Sequence, residues 1–181
     1  MDVSAFYYLS YPETDEDEGG VAYGEDRREL DALLADPAPV TNWPTLQLTL
    51  RDGVFQDLQA DNLGLKLCSE RLRAAVESAS VPEDGLEWLP VSITDPASGE
   101  TRQYFALHAL HHRWEVLDPE RSIMAAPDSV VKAVLRREEA SKYRVLVVPG
   151  GSFRFCVAEE VRKAVKKAKC TGVGFSKVAM T

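Results

Sequence analysis

Residues 65–76, LKLCSERLRAAV, and residues 153–165, FRFCVAEEVRKAV, follow one rule. Each runs apolar, basic, apolar, Cys, and then opens a pattern of apolar residues three and four apart. Alternation with period two belongs to a half-buried strand, and recurrence near 3.6 belongs to one face of a helix. The chain therefore contains at least two strand–helix units. In the first, Ser69 suits the N-cap, where its hydroxyl can accept an orphan backbone N–H, and Leu72, Ala75, Val76 and Ala79 form one stripe. In the second, Val161, Ala164, Val165 and Ala168 repeat that stripe. Glu159 and Glu160 fall in its first turn and Lys166, Lys167 and Lys169 in its last, placements that complement the helix dipole by roughly 0.3–1 kcal/mol each. Neither unit carries a side chain suited to chemistry on its exposed positions, so both read as scaffold. Cys68 and Cys156, each at a strand end, read as small buried hydrophobes.

The same grammar organises the rest. Phe6–Leu9 starts a strand, and 46–50, LQLTL, alternates strictly before the Asp52-Gly53 turn. Leu30, Leu33 and Leu34 place a helix over Glu25–Ala35, stopped by Pro37, and 36–44 is irregular by its prolines. Leu86–Ile93 and Gln103–Leu110 pair as a hairpin around the turn DPASG at 95–99. Val130, Val131, Val134 and Leu135 predict a helix over Asp128–Ala140, Arg144–Val148 a strand, and Thr171–Val178 a closing strand. This order predicts an α+β fold: a mixed β-sheet with helices on one face, including two similar strand–helix–strand units. A length of 181 residues suits a single domain, 1–181, with an acidic, loop-rich N-terminal segment at about 11–44.

Charge is the second constraint. The net charge is −8. Residues 11–36 hold ten acids (Glu13, Asp15, Glu16, Asp17, Glu18, Glu25, Asp26, Glu29, Asp31 and Asp36) against Arg27 and Arg28, so this stretch accounts for all of it. Such a surface repels nucleic acid and anionic membrane and attracts a basic partner. A solvated loop that keeps the chain soluble is the plainer alternative. No apolar run approaches the roughly 20 residues of a membrane span, and the N-terminus has an early acid and no basic region of a secretory signal. Three cysteines without paired spacing read as reduced thiols, which points to the cytoplasm.

Signs of catalysis are sparse. His108, His111 and His112 invite a metal reading with Glu115 or Asp118, but on a strand His111 faces away from the other two. Gly172 and Gly174 follow a helix where a phosphate cradle must precede one, and no GxSxG occurs. The basic run RKAVKKAK, 162–169, reads as the solvated face of a helix. The residues call for no cofactor, no metal and no enzyme.

Three stretches carry a resemblance: DNLGLKLCSERLRAAVE (61–77), YFALHALHHRWEVLDPERS (104–122) and FRFCVAEEVRKAVKKAKCTGVGFSKV (153–178). Their succession resembles the bacterial immunity-protein family of polymorphic toxin systems, and within it the branch known from myxobacterial nuclease-toxin immunity proteins. The shared elements are Ser69-Glu70-Arg71-Leu72, Leu117-Asp118 with Ser122, and Thr171-Gly172-Val173-Gly174-Phe175. His108 departs from the resemblance, where a small amide is usual. The resemblance implies a protein without catalysis of its own that stays in the cytoplasm and neutralises a cognate toxin, a nuclease with a basic active-site groove, by binding it. On that expectation Asp15, Glu16, Asp17, Glu18, Glu25 and Asp26 supply electrostatic contacts, and Tyr23 and Trp43 supply aromatic anchors. Two alternatives stay open: a small metal- or His-dependent enzyme using His108 or His112 with Asp118, and an interaction module that leaves its partner active.

Overall fold

A computed structural model describes residues 5–12, 19–25, 30, 33–34, 37–111, 113–127, 129–148 and 154–181. In chain order its strands are β1 (Phe6–Ser10), β2 (Val21–Tyr23), β3 (Leu46–Arg51), β4 (Leu58–Asp61), β5 (Leu67–Ser69), β6 (Leu86–Thr94) and β7 (Thr101–Ala109), then β8 (Ile123–Ala126), β9 (Ser129–Lys132), β10 (Val134–Leu135), β11 (Val145–Val148), β12 (Arg154–Ala158), β13 (Gly174–Lys177) and β14 (Ala179–Met180). Three α-helices are complete among the described residues: α1 (Glu70–Glu77), α2 (Arg137–Ala140) and α3 (Glu159–Lys167).

Strict alternation in β3 buries Leu48 and Leu50 and exposes Gln47 and Thr49. The same period turns Leu89, Val91 and Ile93 of β6 and Tyr104 and Ala106 of β7 inward. These strands close a barrel in the order β2-β3-β6-β7-β5-β4. The β6–β7 hairpin runs from Leu86 opposite Ala109 to Thr94 opposite Thr101, as the turn chemistry at 95–99 predicts. Closure depends on two parallel pairings between strands distant in the chain, β3 with β6 and β2 with β4. Leu30 and Leu34, both helical, are buried in the same cluster. Each fully buried leucine contributes about 1.5–3 kcal/mol relative to exposure.

A second, antiparallel sheet has the order β11-β12-β1-β13. Val145, Val147, Phe155, Val157 and Leu9 lie on one face, packed with Leu72 and Val76 of α1, Val161 and Val165 of α3, and Leu58, Cys68 and Leu107 of the barrel. The two helices contact each other in this middle layer. Alternate residues Phe6, Leu146, Val148, Cys156 and Ala158 face the other way, onto Val116, Leu117, Val130, Leu135 and Tyr143.

Two expectations are corrected. The α+β sheet with helices on one face is overturned: the described residues are 43% strand and 19% helix, and their main element is the closed six-stranded barrel. Both strand–helix units exist, but β5 belongs to the barrel and β12 to the separate sheet, and their helices lie between the two. Ser69 caps α1 as expected, its hydroxyl accepting the Leu72 N–H at 3.2 Å. The helix over 128–140 is replaced by β9, β10 and the one-turn α2. Val130, Val131 and Val134 are β-branched and suit strands: β9, with Val130 and Val131, pairs with β8, and β10, with Val134, pairs with β14.

Candidate functional site

β2 ends at Tyr23, and the exposed Glu25 follows one glycine later. Asn62 fixes this exit from the barrel. Its Oδ1 accepts the Gly24 N–H at 2.9 Å and its Nδ2 donates to the Gly24 carbonyl at 3.0 Å. Asp61 shapes the turn that carries Asn62, accepting the N–H of Leu63 at 2.7 Å and of Leu65 at 3.1 Å through Oδ1. Its Oδ2 is buried without a hydrogen-bond partner. Burial outweighs the backbone donors and pushes the carboxyl up to about 6.

Tyr23, Glu25 and Leu30 come together with Pro44, Gln47 and Thr49 around a surface groove of about 370 Å³. The Arg51 guanidinium sits 4.6 Å from the centre of the Tyr23 ring. Trp43 is half-buried against the barrel cluster, and its Nε1 donates to the Pro90 carbonyl at 2.8 Å. That bond and the one from the Val40 N–H to Glu87 Oε2, 3.1 Å, strap the proline-rich segment to β6. Asp15, Glu16, Asp17, Glu18 and Asp26 lie outside the described residues.

A polar junction that sequence reasoning missed holds the barrel to the middle layer. Asp57, buried at the start of β4, accepts from Ser69 Oγ at 2.5 Å, Arg71 Nε at 3.0 Å and Arg71 Nη2 at 2.7 Å. It also accepts the Thr171 N–H at 2.7 Å and the Thr171 hydroxyl at 3.1 Å. Burial pushes this carboxyl up, but the Arg71, Ser69 and Thr171 donors outweigh it and hold it below the usual carboxylate range. Gly172 follows at φ +68°, where an added Cβ would stand 2.7 Å from the Leu58 carbonyl oxygen. Ser69, Arg71, Thr171 and Gly172, from two of the stretches that carry the family resemblance, thus converge on one buried carboxylate and its neighbours.

His108 is buried, with Nδ1 3.0 Å from Glu87 Oε2. His111 is exposed and packs on Gly85, and His112 lies outside the described residues. Asp118 is engaged by its own turn, accepting the Glu120 and Arg121 N–H groups at 3.0 and 3.1 Å. Cys68 is buried and its thiol is pushed up to about 12 by that burial. Among the described residues no three His, Cys, Asp or Glu side chains form a group that could hold a metal ion, and no helix is long and apolar enough to cross a membrane.

Exposed apolar surface is concentrated on the far side of the open sheet, on Trp114, Ile123, Met124 and Val131. The described surface thus has a groove on the barrel lined in part by Tyr23 and Glu25, and an apolar hairpin on the opposite layer. A search of curated proteins gives no match. Residues 25–180, which take in barrel strands β3 to β7, the polar junction and the hairpin, match the model of the immunity protein family Imm11, and the chain belongs to that family.

Proposed function

We propose that this chain neutralises a cognate toxin in the cytoplasm by binding it, and that the toxin is a nuclease. Membership of an immunity protein family supports an inhibitor that acts by association. The observation that carries the finer reading is the charge distribution. Ten acids stand within residues 11–36, whereas the remaining sequence has nineteen acids and nineteen bases. A nuclease must present cations to phosphate. Carboxylates at Asp15, Glu16, Asp17, Glu18, Glu25 and Asp26 enter that cationic groove in place of the nucleic acid. Tyr23, beside Glu25 on the barrel groove, adds an aromatic contact, and Trp43, which holds the proline-rich segment to β6 through its bond to Pro90, adds a second from its exposed part. The chain itself contacts neither nucleic acid nor membrane.

Co-expression with the toxin encoded beside this chain tests the reading. Growth is restored and the two proteins co-purify at a fixed ratio. Failure of both, with the chain folded and abundant, rejects it. A complex in which the toxin still cleaves nucleic acid would assign the chain to the non-inhibitory interaction modules.

A further inference from the structure

Of the six large hydrophobic side chains exposed among the described residues, four lie on the β8–β9 hairpin or the turn beside it: Trp114 at 43%, Ile123 at 54%, Met124 at 38% and Val131 at 57%. All four residues of β8 are exposed and none is charged. The strand pairs with β9 on one edge and with no described strand on the other. Edge strands of soluble proteins are usually blunted by charge, proline or cover, and this one has none within its length. The hairpin is nevertheless anchored. Val130 is buried in the core, and the Arg154 guanidinium donates to the carbonyls of Val130 and of Val131, the latter at 3.1 Å. Beside the hairpin a groove of about 330 Å³ runs between Trp114, Leu117, Pro119, Met124 and Pro127, with Arg136 in its wall. Arg136 is exposed and donates to the Glu115 carbonyl through Nε at 2.9 Å and through Nη2. No described carboxylate forms an ion pair with it. Arg121 and Lys132, exposed nearby, also form no ion pair with a described residue.

An arginine that forms no ion pair with a described carboxylate, in the wall of an apolar groove, suits a carboxylate that arrives with an apolar neighbour. We propose that this hairpin groove is a second contact for the toxin. It takes an extended segment that lays a large apolar side chain against Trp114 and Met124, presents a carboxylate to Arg136, and adds its backbone to the open edge of β8. The inference rests on the toxin-binding reading above. It assigns the groove to a different part of the toxin from the nucleic-acid site, because the Arg136 guanidinium in its wall disfavours a cationic surface.

The test is calorimetric titration of the full chain with the adjacent toxin, made harmless by substitution in its own active site. Met124→Glu and Arg136→Glu are compared with wild type, and circular dichroism melting confirms that each is folded. Each substitution raises Kd by at least about 30-fold, the loss expected of an interface hot spot. Should Arg136→Glu fail to fold, Met124→Glu decides, since its side chain is already partly in water. Wild-type affinity in the folded variants overturns the groove assignment and leaves the toxin-binding reading intact. Absence of binding by wild type overturns both. A wild-type dimer that these substitutions dissolve, with toxin affinity unchanged, means that a second copy of the chain takes the groove and also overturns the assignment.

Discussion

Asp57 and Thr171 stand 114 positions apart, and each holds the other from both sides. Thr171 donates its N–H and hydroxyl to the Asp57 carboxylate, while its carbonyl accepts the Asp57 N–H at 3.1 Å. The Ser69 N–H donates to the Asp57 carbonyl at 2.8 Å, and the Ser69 hydroxyl then caps α1. One carboxylate therefore ties the barrel, the first helix and the segment leading to β13.

Removal of that carboxylate should be costly. Asp57→Ala leaves the Thr171 amide and the Ser69 hydroxyl without an acceptor and Arg71 without its counter-ion. Hydrogen bonds to charged groups contribute about 1.5–3 kcal/mol each, and their losses overlap within one network. A loss of about 3–4 kcal/mol in denaturant unfolding is expected, against a much smaller one for Asp95→Ala in the exposed turn before β7. Equal effects of the two substitutions would mean that the junction is not a structural tie.

Asp57 and Asp61 give opposite pH signatures. The folded-state carboxyl of Asp57 lies below its unfolded value of about 3.9, so its stabilisation is complete above that pH and is lost as pH falls through the lower folded value. Asp61 is raised to about 6, so the folded state holds more protons than the unfolded between about 4 and 6, and stability falls as pH rises across that window. Asp61→Asn keeps an acceptor for the Leu63 and Leu65 amides and removes the titration. The slope of stability between pH 4 and 6 should flatten in that variant. An unchanged slope would show that other groups set it.

Much of the local grammar was legible. Leu48 and Leu50 announced β3, the DPASG turn announced the β6–β7 hairpin, and Ser69 announced the cap of α1. Periodicity says which side chains share a face. It does not say which strands meet, and the barrel closes through parallel pairings of β3 with β6 and β2 with β4 that no turn signals. Val130, Val131, Val134 and Leu135 fit a helical stripe as well as a strand, and the β-branched shape that decided the matter is a weak signal over so short a run. The hairpin surface was missed for the same reason. Asp57 sits alone in VFQDLQ, where nothing distinguishes a buried carboxylate from a turn residue until Ser69, Arg71 and Thr171 are brought to it. On the functional side, Tyr23 and Glu25 do share a groove, whereas Trp43 is committed to the strap over β6.

Gly172 and Gly99 provide a matched pair of positions. Both have positive φ, +68° and +74°. An added Cβ at Gly99 meets nothing within 4 Å, whereas at Gly172 it meets the Leu58 carbonyl oxygen and the Gln56 Cβ at 2.7 Å. Gly99→Ala should cost only the left-handed strain, about 1–2 kcal/mol. Gly172→Ala should exceed that by at least about 1 kcal/mol, because backbone cannot yield as a side chain can. Thermal unfolding of the two variants measures the difference, and equal losses would show that the approach of residue 172 to β4 is not close.

The acidic segment is tested by its kinetics. Joint neutralisation by Asp15→Asn, Glu16→Gln, Asp17→Asn and Glu18→Gln removes half of the net charge of −8 while keeping side-chain size. Electrostatic steering raises association rates by about 10–10³-fold and is screened by salt. The variant should associate with the toxin about tenfold more slowly in dilute salt, converge on the wild-type rate as salt is raised, and unfold within about 0.5 kcal/mol of wild type. Stopped-flow association across a salt series reads all of this directly. Identical rates at every salt concentration would make the segment a solubilising loop and would move the electrostatic contacts to Glu25 and the barrel groove.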